Sequence, residues 1–483
     1  MMDIELKKLD NLLFVVCLLL AALISARVPV DTDMWWHLKA GEITIQTGIP
    51  VISDTMSYTK LGEPWINHSW LGQVILYGFY ELFGYWGLEA FVVLLTVLCL
   101  TFLWKQLTGL PFIKAVILLT GAVLVSLVLT PRPQLFTLFF LALTGWYLDN
   151  YLKQDFKKAF WLPILFVLWS NLHAGATLGM IYLAAYGSGY FIHLLIRREV
   201  FEYRRNLQYL AGWAFASVLA VAINPNGFRI YGISLLTMQV RVKQYIQEWL
   251  PPEFNEPVQL LFLVIFIITS VVVLLRWKNI NFKDVAILFI FGYLALSGRR
   301  NIAPFAVTVL PILSRNIFFP LKRIQFIAKK KPIKSLNPAT SKIINISLVG
   351  LLWVAVLGKY FYNGHPVIVN NTIAKDYPVQ QIAKIQQSNY SGNLLNEYNW
   401  GGYLAWTASE YPVFIDARTD LYGDSIFNDW YSLVFTEDNW QALLQQYDIG
   451  IVLLYPDRPL ISVLIEQGWK IQFQDPVGIL LSR

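Results

Sequence analysis

Asp31 and Asp33 stand two residues apart directly after an apolar run, in a segment that reads as extended chain. Side chains two apart in extended chain point the same way. Such a pair can share a divalent cation, Mg or Mn, that neutralises a phosphate leaving group. Alternatively one of the two takes a proton from an acceptor hydroxyl. Asp33 also has a purely structural reading, as N-cap of the helix that begins after it. Arg299 and Arg300, within Ser297-Gly298-Arg299-Arg300-Asn301, and Arg132, between Pro131 and Pro133, carry guanidinium forks that suit phosphate oxygens. Their alternative partners are lipid headgroups. His37, one turn beyond Asp33, either orients a carboxylate or hydroxyl or is a buried, satisfied ring. His173, in Asn171-Leu172-His173-Ala174-Gly175, sits at a helix break and reads as a cavity residue. Glu248, next to Trp249, is either a second acid of the same site or a solvated interfacial carboxylate.

These residues hang on a chain that must cross a membrane many times. Of the 483 residues, 56% are hydrophobic and only 14% charged, and the apolar residues come in blocks. Blocks of about 20 residues match the hydrocarbon core of a bilayer. About eleven spans are expected, near residues 12–28, 87–104, 112–130, 135–149, 160–172, 176–195, 207–223, 258–276, 284–297, 302–318 and 343–360. The first block, behind Lys7 and Lys8, also has the form of a signal peptide; either reading exports the loop from residue 29 onward. Trp, Tyr and Phe number 18, 25 and 31, in keeping with aromatic belts at membrane interfaces.

Lysine and arginine set the orientation. Alternate loops hold Lys105; Lys153, Lys157 and Lys158; Arg197, Arg198, Arg204 and Arg205; Arg276, Lys278 and Lys283; and a basic cluster in 319–342. All fall on the side of Lys7 and Lys8, which places the N-terminus in the cytoplasm of a cell (inner or plasma) membrane protein. The opposite loops are 29–86, 131–134, 171–175, 224–256 and 297–301. Each sets polar or ionisable residues beside Gly or Pro, often at helix ends, an arrangement that is costly near lipid unless it lines a shared polar cavity. One outward cavity is therefore expected. Within loop 29–86, residues 33–47 and 65–84 read as interfacial helices ended by Gly48 and Gly84, with a turn-like stretch from Pro50 to Pro64.

The chain divides into a transmembrane part, 1–362, and an extracytoplasmic part, 363–483. The latter holds 6 Lys/Arg against 13 Asp/Glu, while the rest of the chain is strongly basic. That base lies in short loops, so it signals cytoplasmic loops and no nucleic-acid surface. Helices at Pro378–Gln387, Trp440–Tyr447 and Leu460–Gln467 alternate with strands at Val413–Asp416, Ile449–Tyr455 and Trp469–Phe473. This pattern predicts a small α/β domain with a mainly parallel sheet. Cys17 and Cys99 lie in apolar blocks and have no metal-ligand spacing.

Asp33-Met34-Trp35-Trp36-His37-Leu38-Lys39 resembles the start of the first outer loop in glycosyltransferases of the GT-C superfamily. The loop as a whole is similar to those of protein mannosyltransferases, aminoarabinose transferases and oligosaccharyltransferase catalytic subunits. Over nearly its full length the chain resembles a group of bacterial membrane proteins marked by an Asp-x-Asp-x-Trp-Trp-His-Leu start. The group's further marks stand here as Arg132-Pro133-Gln134, Asn171 to Gly175, Asn224-Pro225-Asn226-Gly227, Glu248-Trp249 and Arg299-Arg300-Asn301. The resemblance implies an α-helical polytopic GT-C-like enzyme that moves a sugar, with inversion, from a polyprenyl-phosphate-linked donor to an acceptor at the outer face. The acceptor is left open as a glycan, lipid or protein. The catalytic acid falls on Asp33, with Asp31 beside it. Oligosaccharyltransferases carry another acidic pair in a later outer loop; here the corresponding loop is Pro131 to Gln134 and has no acid. Asn399 to Trp406 resembles the element with which those enzymes hold a peptide acceptor, but Gly401 replaces its Asp. Trp400, Tyr403, Asp416 and Arg418 are the acceptor-side candidates. Competing functions are a transporter or flippase for lipid-linked saccharides, a non-catalytic binding or assembly protein, and a glycan polymerase or ligase.

Overall fold

The computed structural model describes residues 2–153, 155–233, 244–325, 337–388 and 390–483. Each expected span coincides with a helix. In chain order the helices are α1 (Met2–Ser25), α2 (Met34–Thr47), α3 (Trp70–Gln106), α4 (Pro111–Val125), α5 (Gln134–Trp146) and α6 (Trp161–Leu172). They continue with α7 (Ala176–Arg197), α8 (Arg204–Val221), α9 (Pro257–Leu274), α10 (Phe282–Ser297), α11 (Ile302–Gln325) and α12 (Pro338–Asn363). Among the described residues, six helical segments have the length and apolar composition to cross a membrane. Much of the 319–342 basic loop (326–336) and part of the 224–256 loop (234–243) lie outside the described residues.

Residues 29–86, the first long loop, fold as their punctuation implies. Helix α2 ends at Gly48 in the left-handed conformation, which glycine adopts without a Cβ penalty. The second interfacial helix leads directly into a span: α3 consists of two helical stretches that meet at a kink at Gly84 (φ 58°, ψ −140°). Between α2 and α3, Ser53 bridges to Pro64. Helix α2 does not simply lie on lipid. Met34, Trp35, Trp36 and Leu38 are buried, because α3 packs along the helix and the C-terminal part, residues 363–483, covers its start.

That part contains α13 (Pro366–Asp376), α14 (Val379–Gln386), α15 (Gly401–Thr407), α16 (Thr419–Val434), α17 (Trp440–Gln446) and α18 (Pro459–Glu466). Its strands are β1 (Asn393–Asn396), β2 (Ile449–Leu454), β3 (Lys470–Gln474) and β4 (Ile479–Ser482), in the order β1-β2-β4-β3. The expected parallel sheet is corrected to a mixed one: β1 pairs with β2 in parallel, and the β2–β4 and β3–β4 pairings are antiparallel. The cause is the terminal β3–β4 hairpin, in which Asp475 closes the turn through hydrogen bonds from the Val477 and Gly478 amides, both 2.9 Å. Val413–Asp416 is not a strand of this sheet. Val413 bridges to Ser57 of the first outer loop instead, so a segment that reads as core strand joins the two parts of the chain.

The same junction is fixed by Arg418. It is fully buried, makes 2.9 and 2.6 Å hydrogen bonds to Asp416 through Nε and Nη2, and lies 2.8 Å from Asp54 through Nη1. Its guanidinium rests 4.9 Å from the Trp65 ring centre. Helix α15 then packs on the start of α2: a Cβ on Gly402 would lie 3.2 Å from the Thr32 carbonyl oxygen and 3.3 Å from the Trp36 ring. Glycine there permits the close approach.

Candidate active site

Asp31 and Asp33 meet Arg132 at one end of the helical part. Arg132 donates to Asp31 through both Nε (2.5 Å) and Nη2 (2.6 Å), a bidentate fork. Its Nη1 lies 2.7 Å from Asp33 Oδ2 and 3.4 Å from Glu248 Oε2. The Asp33 amide donates to Asp31 Oδ1 at 2.9 Å. Asp33 occupies the N-cap position of α2, yet its carboxylate accepts no capping hydrogen bond. The structure thus separates two readings the residue type left open: the position is a cap, but the carboxylate belongs to the acidic site.

Local chain geometry delivers each member. Arg132 stands between two prolines whose rings fix φ, and Pro133 leads directly into α5. A Cβ on Gly72 of α3 would lie 2.8 Å from Pro133 Cβ, so the proline turn is wedged against α3. Glu248 lies in a short 3₁₀ turn, Gln247–Trp249, and also accepts from the Trp249 indole N–H at 3.2 Å.

Three carboxylates around one guanidinium leave negative charge in excess. Burial pushes the Asp33 carboxyl up to about 7 against the pull of Arg132, with Asp31 and Glu248 adding to the rise. An acid held there exchanges its proton near neutral pH, the property a general base needs.

A cavity of about 660 Å³ opens on this cluster, between the helical part and the C-terminal part. Thr32, Asp33, Arg132, Glu248 and Trp249 line one side. Tyr398, Asn399, Phe427, Trp430, Tyr431, Phe435, Glu397 and Arg458 line the other, and Tyr245 of the loop before Glu248 bridges them. The Tyr245 ring centre lies 5.6 Å from those of both Phe427 and Tyr431. Arg458 donates to Glu397 at 2.6 and 3.1 Å. The wall is therefore aromatic with a few fixed polar groups, the make-up of a site for a flat ligand carrying hydroxyls.

Arg300, which lies over the Trp249 ring of the cavity wall, adds a positive charge near two histidines. His68 and His173 meet edge to face at 5.6 Å, and the Arg300 charge acts on both. Burial, reinforced by the other histidine and Arg300, holds His173 well below the usual histidine range, so its ring is neutral. The Gly175 amide donates to His173 Nδ1 at 2.9 Å. With Nδ1 accepting, the ring hydrogen sits on Nε2, which makes no hydrogen bond among the described residues and remains an available donor. The Arg300 guanidinium lies 4.4 Å from the centre of the Trp249 ring and has no carboxylate partner among the described residues.

The remaining expected residues sit elsewhere. Arg299 is engaged by Glu253 and donates to the Pro251 carbonyl at 3.2 Å, which ties the 297–301 turn to the 224–256 loop. His37 is buried, stacked on Trp36 and hydrogen-bonded to Gln73 at 3.3 Å. Trp400 is buried and donates to the Asp376 carbonyl at 2.9 Å. Tyr403 packs 4.8 Å from both Trp35 and Tyr377. Together with Asp416 and Arg418, these two stand behind the cavity wall, in the junction between the two parts. The wall itself is supplied largely by α16, whose Phe427, Trp430, Tyr431 and Phe435 succeed one another at helical i, i+3, i+4 and i+8 spacing. That spacing was the signal available in the sequence.

No family model matches the chain, and no curated protein matches it. Solved structures do. The oligosaccharyltransferase AglB from Archaeoglobus fulgidus, in complex with an inhibitory peptide and a dolichol-phosphate, matches 91% of this chain and 69% of its own, with a TM-score of 0.57 at 12% identity. An Archaeoglobus fulgidus oligosaccharyltransferase tethered to an acceptor peptide containing the NVT sequon gives 0.53 at 11% identity, over 91% and 68%. ArnT from Cupriavidus metallidurans bound to undecaprenyl phosphate covers 97% of both chains at a TM-score of 0.47 and 12% identity. At such identities the likeness speaks to architecture alone: the chain shares its fold with the Archaeoglobus fulgidus oligosaccharyltransferase structures.

Proposed function

We propose that this chain transfers a sugar from a polyprenyl-phosphate-linked donor to an acceptor at the outer face of the membrane. The observation that carries the reading is the cavity on which Asp33 opens, with an aromatic wall on one side and the His68–His173–Arg300 set beside the other. Asp33 takes the proton from an acceptor hydroxyl as that oxygen attacks the anomeric carbon. The bond from that carbon to the phosphate oxygen breaks, and the polyprenyl phosphate leaves. Arg300 and the His173 Nε2–H receive the phosphate oxygens, compensating charge that grows as the bond breaks. Asp31 and Arg132 hold Asp33 in place. The aromatic faces of α16 stack on sugar rings, which favours a saccharide-bearing acceptor over a peptide. The fold also agrees with the AglB structure, whose own ligands are a dolichol-phosphate and a peptide.

A flippase or transporter would be expected to gather its polar groups near the bilayer midplane; the sites described here lie at helix ends and in the loops between them.

The direct test is release of free polyprenyl phosphate when the purified chain is given polyprenyl-phosphate-linked sugars and a saccharide acceptor. Wild type should release it; neither binding nor release across hexose and pentose donors would end the reading. Arg300→Lys keeps the charge but loses the fork. It should weaken donor binding about tenfold to a hundredfold, the worth of one charge-assisted hydrogen bond. Unchanged affinity in a donor titration would remove Arg300 from the phosphate site. The same reading requires residues 363–483 outside. Reporter fusions after Tyr362 should be exported and fusions near Lys330 retained in the cytoplasm, and a cytoplasmic reporter after Tyr362 would refute the orientation.

A further inference from the structure

A divalent cation is the usual means of holding gathered carboxylates beside an anionic substrate, and the Asp31/Asp33 spacing allows one. The donor set does not fit it. Both Asp31 oxygens are already engaged by the Arg132 fork, at 2.5 and 2.6 Å, and Asp33 Oδ2 lies 2.7 Å from Nη1 of the same group. A small divalent ion needs such oxygens at about 2.0–2.2 Å, in the space these nitrogens fill. Arg132 cannot vacate its charge, since a guanidinium stays protonated. Swinging it aside would give up the bidentate hold on Asp31 and the contact with Asp33. Among the described residues no group of three or more His, Cys, Asp or Glu is arranged to hold a metal.

We propose that Arg132 is the resident cation of this site, standing where a divalent ion would otherwise be held, so that the acidic cluster takes no divalent ion. Its planar fork does two things such an ion does. It fixes the Asp31 carboxylate in one plane, and it cancels part of the charge of Asp31, Asp33 and Glu248, so that an anionic group can approach. It differs in being part of the chain and therefore present at any metal concentration.

The test is Mn²⁺ titration of the full chain in detergent, monitored by the loss of the free-ion paramagnetic resonance signal. Wild type should take up no equivalent of Mn²⁺ at micromolar concentration. Arg132→Gln, which removes the charge and keeps a polar side chain, should bind one equivalent on the order of tenfold or more tighter than wild type, because the repelling charge is gone. Asn in place of Asp31 in that background should abolish the gain. Arg132→Ala serves as a second variant if the Gln protein does not fold. Stoichiometric micromolar binding by wild type that is lost in Asp31→Asn would overturn the proposal, with no variant of Arg132 needed. So would a folded Arg132 variant that gains no Mn²⁺ affinity. The readout is metal binding, which is independent of whether the chain transfers sugar.

Discussion

Asp33→Asn is expected to lower the transfer rate by about a thousandfold, within the range a positioned general base contributes, with donor affinity and melting temperature close to wild type. The separation of effects comes from the geometry. The Asp33 carboxylate makes no capping hydrogen bond to α2, and an Asn at an N-cap position is as good as Asp in any case. Arg132 keeps its bidentate hold on Asp31, so the cavity floor stays assembled. What the amide loses is basicity: it cannot accept the acceptor's proton. Asn also differs from Asp by a single atom's identity, which leaves cavity volume unchanged. The measurement is single-turnover release of polyprenyl phosphate at saturating donor, beside a donor-binding titration and a thermal melt. Retention of more than a tenth of the wild-type rate would return Asp33 to a structural role.

Arg418→Met should cost about 3–5 kcal/mol, the range for breaking a buried ion pair from one side, and it should do so by loosening the C-terminal part from the loop between α2 and α3. Arg418 is fully buried between Asp416 of its own part and Asp54 of the outer loop. Tyr422 donates to Asp416 Oδ2 at 2.9 Å. Asp54 is further held by the Met56 and Ser57 amides at 3.1 Å each and by the Ser57 hydroxyl at 2.5 Å. Removing the cation leaves two buried carboxylates facing a methionine thioether. Replacing both carboxylates as well, with Asp54→Asn and Asp416→Asn in the same protein, should recover much of the loss, since no uncompensated charge then remains. Limited proteolysis of the junction and the melting temperature read the effect. A single variant as stable as wild type would show that apolar packing, not the ion pair, joins the two parts. Because the outer loop between α2 and α3 carries Asp54, and α2 begins at the acidic site, undocking should also depress transfer, without a change at any residue lining the cavity.

The sequence by itself determined the elements and their punctuation. Apolar blocks of bilayer length became helices because a chain in lipid must satisfy its backbone hydrogen bonds within each segment. Gly48 and Gly84 ended or turned helices because their backbones take positive φ. The proximity of Asp31 to Asp33 was equally local. What tertiary structure alone decided was partnership. Arg132 is about a hundred residues from Asp31 in sequence, and nothing in a proline-flanked arginine distinguishes a phosphate ligand from a carboxylate clamp. Only the packing of α5 against α3 brings the guanidinium onto the two acids. Arg299 and Arg300 are neighbours of one type, yet one is taken by Glu253 and the other lies on Trp249, a difference that depends on which way a short turn faces. Val413–Asp416 has the composition of a core strand and became a junction, because its ladder partner is Ser57 of the outer loop. Strands β1 and β4, at four residues each, are too short for a period to show. Local pattern is set by interactions within a turn or a strand and can be read residue by residue. A site built from residues 31, 132, 248, 300 and 430 depends on loop closures over hundreds of residues, and only the folded chain shows which of them are made.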